Sequence, residues 1–165
     1  MPTHRRALPL DRALTSTKYI RSKLFQVGAT QPVFVDVLTV VPRYESQTVA
    51  RFPCFEAILG VTKPIQECFV ECVHGESTRR FIIAAQYDHD KPVNIALKRL
   101  HAAANWRGNI LVMKAGRDVL VTGLHGSFES LMVDRAVKRF LETLEDALRD
   151  AETYGYMPMV PPTLP

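Results

Sequence analysis

The sequence predicts an α+β domain: a mainly antiparallel sheet of about five strands with two or three helices on one face. Two pairs of β-branched, apolar runs are each joined by a short loop containing glycine, the way hairpins are written into a chain. Segments with helical spacing stand before and after the second pair. Hairpins keep neighbouring strands antiparallel, and a helix with one apolar stripe has one face to bury, so the helices are expected on the sheet.

A length of 165 residues suits a single domain able to bury its core without disulfides. With 47% hydrophobic and 23% charged residues the chain is not of the disordered class, and it holds no apolar run of bilayer-spanning length, so no membrane partner is expected. Cys54, Cys68 and Cys72 are odd in number and lack zinc-site spacing; they read as free thiols, which suit a reducing, cytoplasmic or nuclear compartment. The net charge of +4 is unevenly spread: residues 1–26 hold six basic residues and one acid, leaving a balance of −1 for the remainder. A basic nucleic-acid-binding face on the folded body is therefore not expected.

Residues 1–26 read as a basic N-terminal arm, with a short helix over Arg12 to Phe25 suggested by Leu14, Ile20 and Leu24. Its acid-poor start also allows a mitochondrial presequence. Alternatively, Arg5, Arg6, Arg12, Lys18, Arg21 and Lys23 contact an acidic partner or a nucleic acid, the latter not favoured. Residues 27–154 form the single α+β domain. Within it, Val33 to Val41 is an interior strand with apolar residues on both faces, so its one charge, Asp36, needs a sheet-end position or an arginine partner. Residues 43–52 read as a loop or frayed strand. Pro53 to Leu59, closed by Gly60, reads as a short helix.

Ile65 to Val73 alternates, with Gln66, Cys68, Val70 and Cys72 on one face. His74-Gly-Glu-Ser77 turns the chain, and Thr78 to Tyr87 returns, so that Glu67 and Glu71 can meet Arg79 or Arg80. Residues 92–104 carry helical spacing, and 109–122 form the second hairpin. A long amphipathic helix follows over 130–153, with Ser127, Ser130 or Asp134 as N-cap and a stripe through Leu131, Val133, Val137, Phe140, Leu141 and Leu144. Its acidic residues gather at the C-terminal end, against the helix dipole, where a basic element would be welcome. Residues 155–165 form a Pro-rich tail, either extended or packed back on the body.

Trp106-Arg-Gly-Asn-Ile-Leu-Val-Met-Lys114, with a short helix before it and a long one after, resembles a pattern in small uncharacterised proteins of mushroom-forming fungi. The resemblance covers roughly residues 92–153. It implies a fungal intracellular protein and carries over no activity and no functional residue.

Two short constellations are candidates for chemistry. In Asp88-His89-Asp90 a carboxylate beside an imidazole can orient a base or ligate a metal, although aspartates at a helix start also serve as caps. Gly123-Leu-His-Gly-Ser127, with His125 and Ser127, can present backbone N–H groups to an anion or act as a capped loop, and it matches neither the P-loop nor the dinucleotide pattern. Trp106 reads as a plug between helix and sheet, or with Arg107 as a binding element. No catalytic residue, metal or cofactor is assigned. The leading expectation is a non-enzymatic intracellular interaction or assembly module that self-associates or binds a protein. The alternatives are a small-molecule or phosphate-handling enzyme near Asp88, His89 and His125, and a nucleic-acid-associated protein using the basic arm.

Overall fold

A computed structural model describes residues 14–42, 52–116 and 121–154. The fold is α+β, with one six-stranded sheet whose strands pair antiparallel throughout. The strands are β1 (Leu14–Phe25), β2 (Val33–Pro42), β3 (Phe52–Pro53), β4 (Ile65–His74), β5 (Ser77–Gln86) and β6 (Ile110–Lys114). The helices are α1 (Glu56–Leu59), α2 (Ile95–Leu100) and α3 (Gly126–Tyr154). Across the sheet the order is β3-β2-β1-β6-β5-β4.

The hairpin at 65–87 forms as its alternation demands: Cys68, Val70 and Cys72 are buried, and Gly75, at φ 59°, makes the two-residue turn. Glu71 pairs with Arg80 at 3.7 Å, whereas Glu67 lies opposite Ala84. Successive residues of β5 point to opposite faces. Phe81, Ile83 and Ala85 join a core with α2 and α3, while Ile82 and Ala84 join a second core with Phe55 and Leu59 around α1. The first core holds Phe25, Leu97, Val112, Met132, Val133, Val137 and Phe140, so α2 and α3 roof one side of the sheet.

The largest departure from the sequence reading is residues 14–25. They are not an arm with a short helix but β1, which lies between β2 and β6 near the middle of the sheet. Ile20 and Leu24 face the α1 core and Phe25 the α3 core, a period of two that Ser16, Thr17 and Ser22 obscure. The folded unit therefore begins by Leu14 rather than at residue 27. Residues 1–13 and the tail 155–165 lie outside the described residues.

Other expectations shift by smaller amounts. β2 is flanked on its outer side only by two-residue β3, and Asp36 is exposed, so the carboxylate needs no buried partner. Of the stretch 43–52 only Phe52 is described, as part of β3. α1 and α2 are shorter than expected, α2 being capped by the Asn94 side chain at the Leu97 N–H. The hairpin at 109–122 reduces, among the described residues, to one bridge between Lys114 and Thr122. Both sides of β6 are already occupied by β1 and β5, and Leu124 goes on to donate to the Arg21 carbonyl at 2.9 Å. α3 starts at Gly126, earlier than expected, and Leu131 faces outward. No helix among the described residues is long and apolar enough to cross a membrane.

Candidate functional site

The end of β5 sets the position of the Asp88-His89-Asp90 turn. Gln86 donates its backbone N–H to the Asn109 carbonyl at 2.9 Å, and Asp88 donates to that of Arg107 at 2.6 Å, so the ladder with the β6 side runs on past both strands. Gly108 lies between them at φ 138°, and a Cβ there would stand 1.9 Å from the Gln86 carbonyl oxygen. Only glycine allows the two backbones to come this close. The chain then folds back: Lys91 donates to the Asp88 carbonyl at 3.0 Å, and the Asp90 N–H donates to Asp88 Oδ1 at 3.1 Å. The second bond is a local aspartate turn.

A lysine that the sequence did not single out completes the cluster. The buried side chain of Gln86 donates to the carbonyls of Lys63 (3.0 Å) and Gly60 (3.4 Å), pinning that loop beside the turn. Lys63 Nζ then stands 3.4 Å from Asp88 Oδ1 and 3.7 Å from Asp90 Oδ2. His89 Nε2 lies 3.1 Å from Asp90 Oδ1. One ligand atom each from Asp88, His89 and Asp90 lies within 4.8 Å of the others, a spacing that can hold a metal ion. Asp88 is half-buried, while His89 and Asp90 are exposed. Partial burial works against ionisation of Asp88, but the Asp90 N–H and the Lys63 ammonium outweigh it and hold the pKa below the ordinary carboxylate value. The cluster is thus a ready-made anionic turn, open to solvent and partly neutralised by one lysine.

Trp106 is the plug that its size suggests. It packs on the α3 core with its ring edge-on to Tyr87 (5.2 Å between centroids) and Phe140 (5.9 Å). Its Nε1 is buried without a hydrogen-bond partner. Arg107 donates to the Lys91 carbonyl at 3.0 Å and so braces the turn from outside. Asn94, fully buried, donates to the carbonyls of Phe25 (3.1 Å) and Gly108 (2.8 Å), tying α2 to the same corner. No periodicity in the sequence marks either Asn94 or Lys63.

His125 and Ser127 do not belong to this site. They are exposed at the start of α3, beside Lys114, whereas Asp88 follows the other end of β5. The length of β6 separates the two groups, about 13 Å of strand. At the α3 end, Glu129 is buried and ion-paired with Lys114, and it accepts the His125 N–H at 2.6 Å. Burial opposes its ionisation, yet the Lys114 ammonium and the His125 N–H together lower its pKa.

The basic residues assigned to the arm also separate. Lys23 is buried beneath α3, where Nζ donates to Asp134 Oδ1 (2.5 Å), Ser130 Oγ (2.9 Å) and the Ser130 carbonyl (3.2 Å). It cannot act as an external contact, and Ser130 and Asp134 serve as its acceptors rather than as helix caps. Arg21 is exposed, with its guanidinium over the Phe34 ring at 4.0 Å, and Lys18 is exposed on the same strand. Arg5, Arg6 and Arg12 lie outside the described residues. Cys54, Cys68 and Cys72 are free, and burial pushes the Cys68 thiol up to about 11, so it is inert rather than nucleophilic.

The chain matches no family model, no curated protein and no solved structure.

Proposed function

We propose that this is a ligand-handling α+β domain whose site is the Asp88-His89-Asp90 turn, taking a divalent cation and through it a small phosphate-bearing molecule. The observation that carries the reading is the convergence of three ligand atoms of mixed type within 4.8 Å of one another on a braced turn. Carboxylate oxygen with one imidazole nitrogen suits manganese- or zinc-like ions, with water completing the shell of so open a site. A cation seated there competes with Lys63 for Asp88 and Asp90, freeing the ammonium for a phosphate oxygen on the bound ligand. The site needs neither His125 nor Ser127. Free, partly buried thiols support a reducing, intracellular setting.

Isothermal titration with Mn²⁺ tests this. Saturable binding, weakened about tenfold or more in Asp88→Asn and in His89→Ala, is expected, since loss of one of three ligands removes at least about 1.4 kcal/mol. Equal Mn²⁺ binding by the native chain and both variants, or none at millimolar metal, contradicts it.

The assembly reading retains one observation in its favour. On the α3 side of the sheet, the β1–β2–β3 half exposes Tyr19, Phe34 and Phe52.

A further inference from the structure

The roof over the sheet is incomplete. α3 and α2 cover β4, β5, β6 and the Phe25 end of β1, and the outermost contact on this side is Asp134 and Ser130 on Lys23. Beyond it, register places Lys23 beside Phe34, Arg21 beside Asp36, Tyr19 beside Leu38 and Val40 beside Phe52. Directly opposed residues share a face, so all of these side chains point to the α3 side. Tyr19 is 65% exposed, Phe34 43% and Phe52 39%, with Leu38 and Val40 half-buried between them. A contiguous aromatic and aliphatic area on a sheet is the kind of surface that soluble chains use for contact.

The charges on this face identify its occupant. Arg21 and Asp36 are opposite in register, yet Arg21 lies over Phe34, and Asp36 has no ion pair among the described residues. Among the described residues, and beyond the buried Lys23, the face therefore carries one exposed cation and one anion without an ion pair, side by side, within an apolar surround. A nucleic acid is disfavoured, because Asp36 would lie against phosphate. A two-fold axis suits this arrangement, because an isologous interface must be complementary to itself. We propose that the chain forms a symmetric dimer in which the β1–β2–β3 faces of two copies pack together, Arg21 of each copy meeting Asp36 of the other. Two sheets packed face to face in this way enclose a core about 10 Å thick, to which Tyr19, Phe34, Leu38, Val40 and Phe52 contribute from both sides. The inference rests on the assembly reading and is independent of the metal turn, which lies beyond the end of β5.

Charge reversal tests it on the full chain by sedimentation velocity over a concentration series, with far-UV circular dichroism confirming that each variant folds. The native chain is expected to dimerise. Arg21→Asp and Asp36→Arg should each weaken dimerisation about tenfold or more, because each homodimer then opposes like charges twice. An equimolar mixture of the two variants should dimerise again, since both contacts in the mixed pair are then of opposite sign, and the double variant should recover likewise. A native monomer at every concentration overturns the proposal, whether the face proves open or covered by the chain's own termini. Folded single variants that dimerise like the native chain, or a mixture that stays monomeric, overturn it too. Mn²⁺ titration of the native chain keeps the two readings apart: a native monomer that binds Mn²⁺ sinks the dimer alone, and a native dimer that does not bind it sinks the metal turn alone.

Discussion

The two halves of the sheet share strand geometry but are finished differently. In the β4–β5–β6 half the α3 side is sealed along all three strands, and β5 and β6 are covered on both faces: Phe81, Ile82, Ile83, Ala84 and Ala85 are successive residues of β5 and all are buried, alternately under α3 and against α1, while the edge strand β4 leaves Phe69 and Val73 exposed on its other face. In the β1–β2–β3 half only the α1 side is sealed, by Ile20, Leu24, Val37 and Phe55, while the other side leaves its aromatics in solvent. Lys23 marks the border, a buried ammonium held by three oxygens of α3 where a continuous core would have placed an apolar residue. The doubly covered core is thus β5 and β6, and on the α3 side the uncovered aromatic face lies on β1–β2–β3.

Substitutions can break or sharpen this contrast. The largest effect is expected at the sealed half: Phe81→Ala should cost about 3–5 kcal/mol in denaturant titration, whereas Phe34→Ala, measured where the chain is monomeric, should cost less than about 1 kcal/mol. Comparable losses at the two positions would contradict an uncovered half. Next comes the border. Asp134→Ala leaves the Lys23 charge buried without its carboxylate and should cost about 3 kcal/mol, while Lys23→Met, which removes the charge itself, should cost much less. Equal losses would mean that Lys23 is solvated.

Gly108→Ala should cost more than about 1 kcal/mol, from its positive φ and from the Gln86 carbonyl that a Cβ would strike. It should also reduce Mn²⁺ affinity, because Asp88 hangs from the same backbone; unchanged affinity would detach the turn from the ladder.

The smallest effect is one of pH. Glu129 has a lowered pKa in the folded chain, so its contribution is complete above its ordinary value, near 4.5, and fades as pH falls through the lower folded value. Glu129→Gln should remove that part of the acid limb of stability. An identical limb in variant and native chain would show that the Lys114 and His125 contacts do not stabilise the ionised form.

How far the sequence was legible follows the same division. The hairpin at 65–87 could be read because each face of β4 differs in polarity and Gly75 supplies its turn. α3 could be read because Val133, Val137, Phe140, Leu141 and Leu144 repeat at its period. β1 could not: its α3 face carries Tyr19, Arg21 and Lys23, residues of a solvated surface, and its other face includes Ser22. The partners that justify Lys23, Ser130 and Asp134, lie more than a hundred positions further along, where no local pattern points to them. The candidate site was half legible for the same reason. Asp88, His89 and Asp90 are adjacent and could be named, while Lys63 reaches them only because Gln86 holds its loop. His125 shares only their chemical kind, and β6 keeps it at the opposite end.

Everything in this contrast depends on β1 as a central strand and not a basic arm. Amide hydrogen exchange followed by mass spectrometry measures that directly. Peptides covering Ile20–Phe25 should be protected to a degree similar to those covering Ile82–Ala85 and Ile110–Met113. If they exchange within seconds, as an unattached N-terminal segment would, then the sheet loses its middle and the account fails.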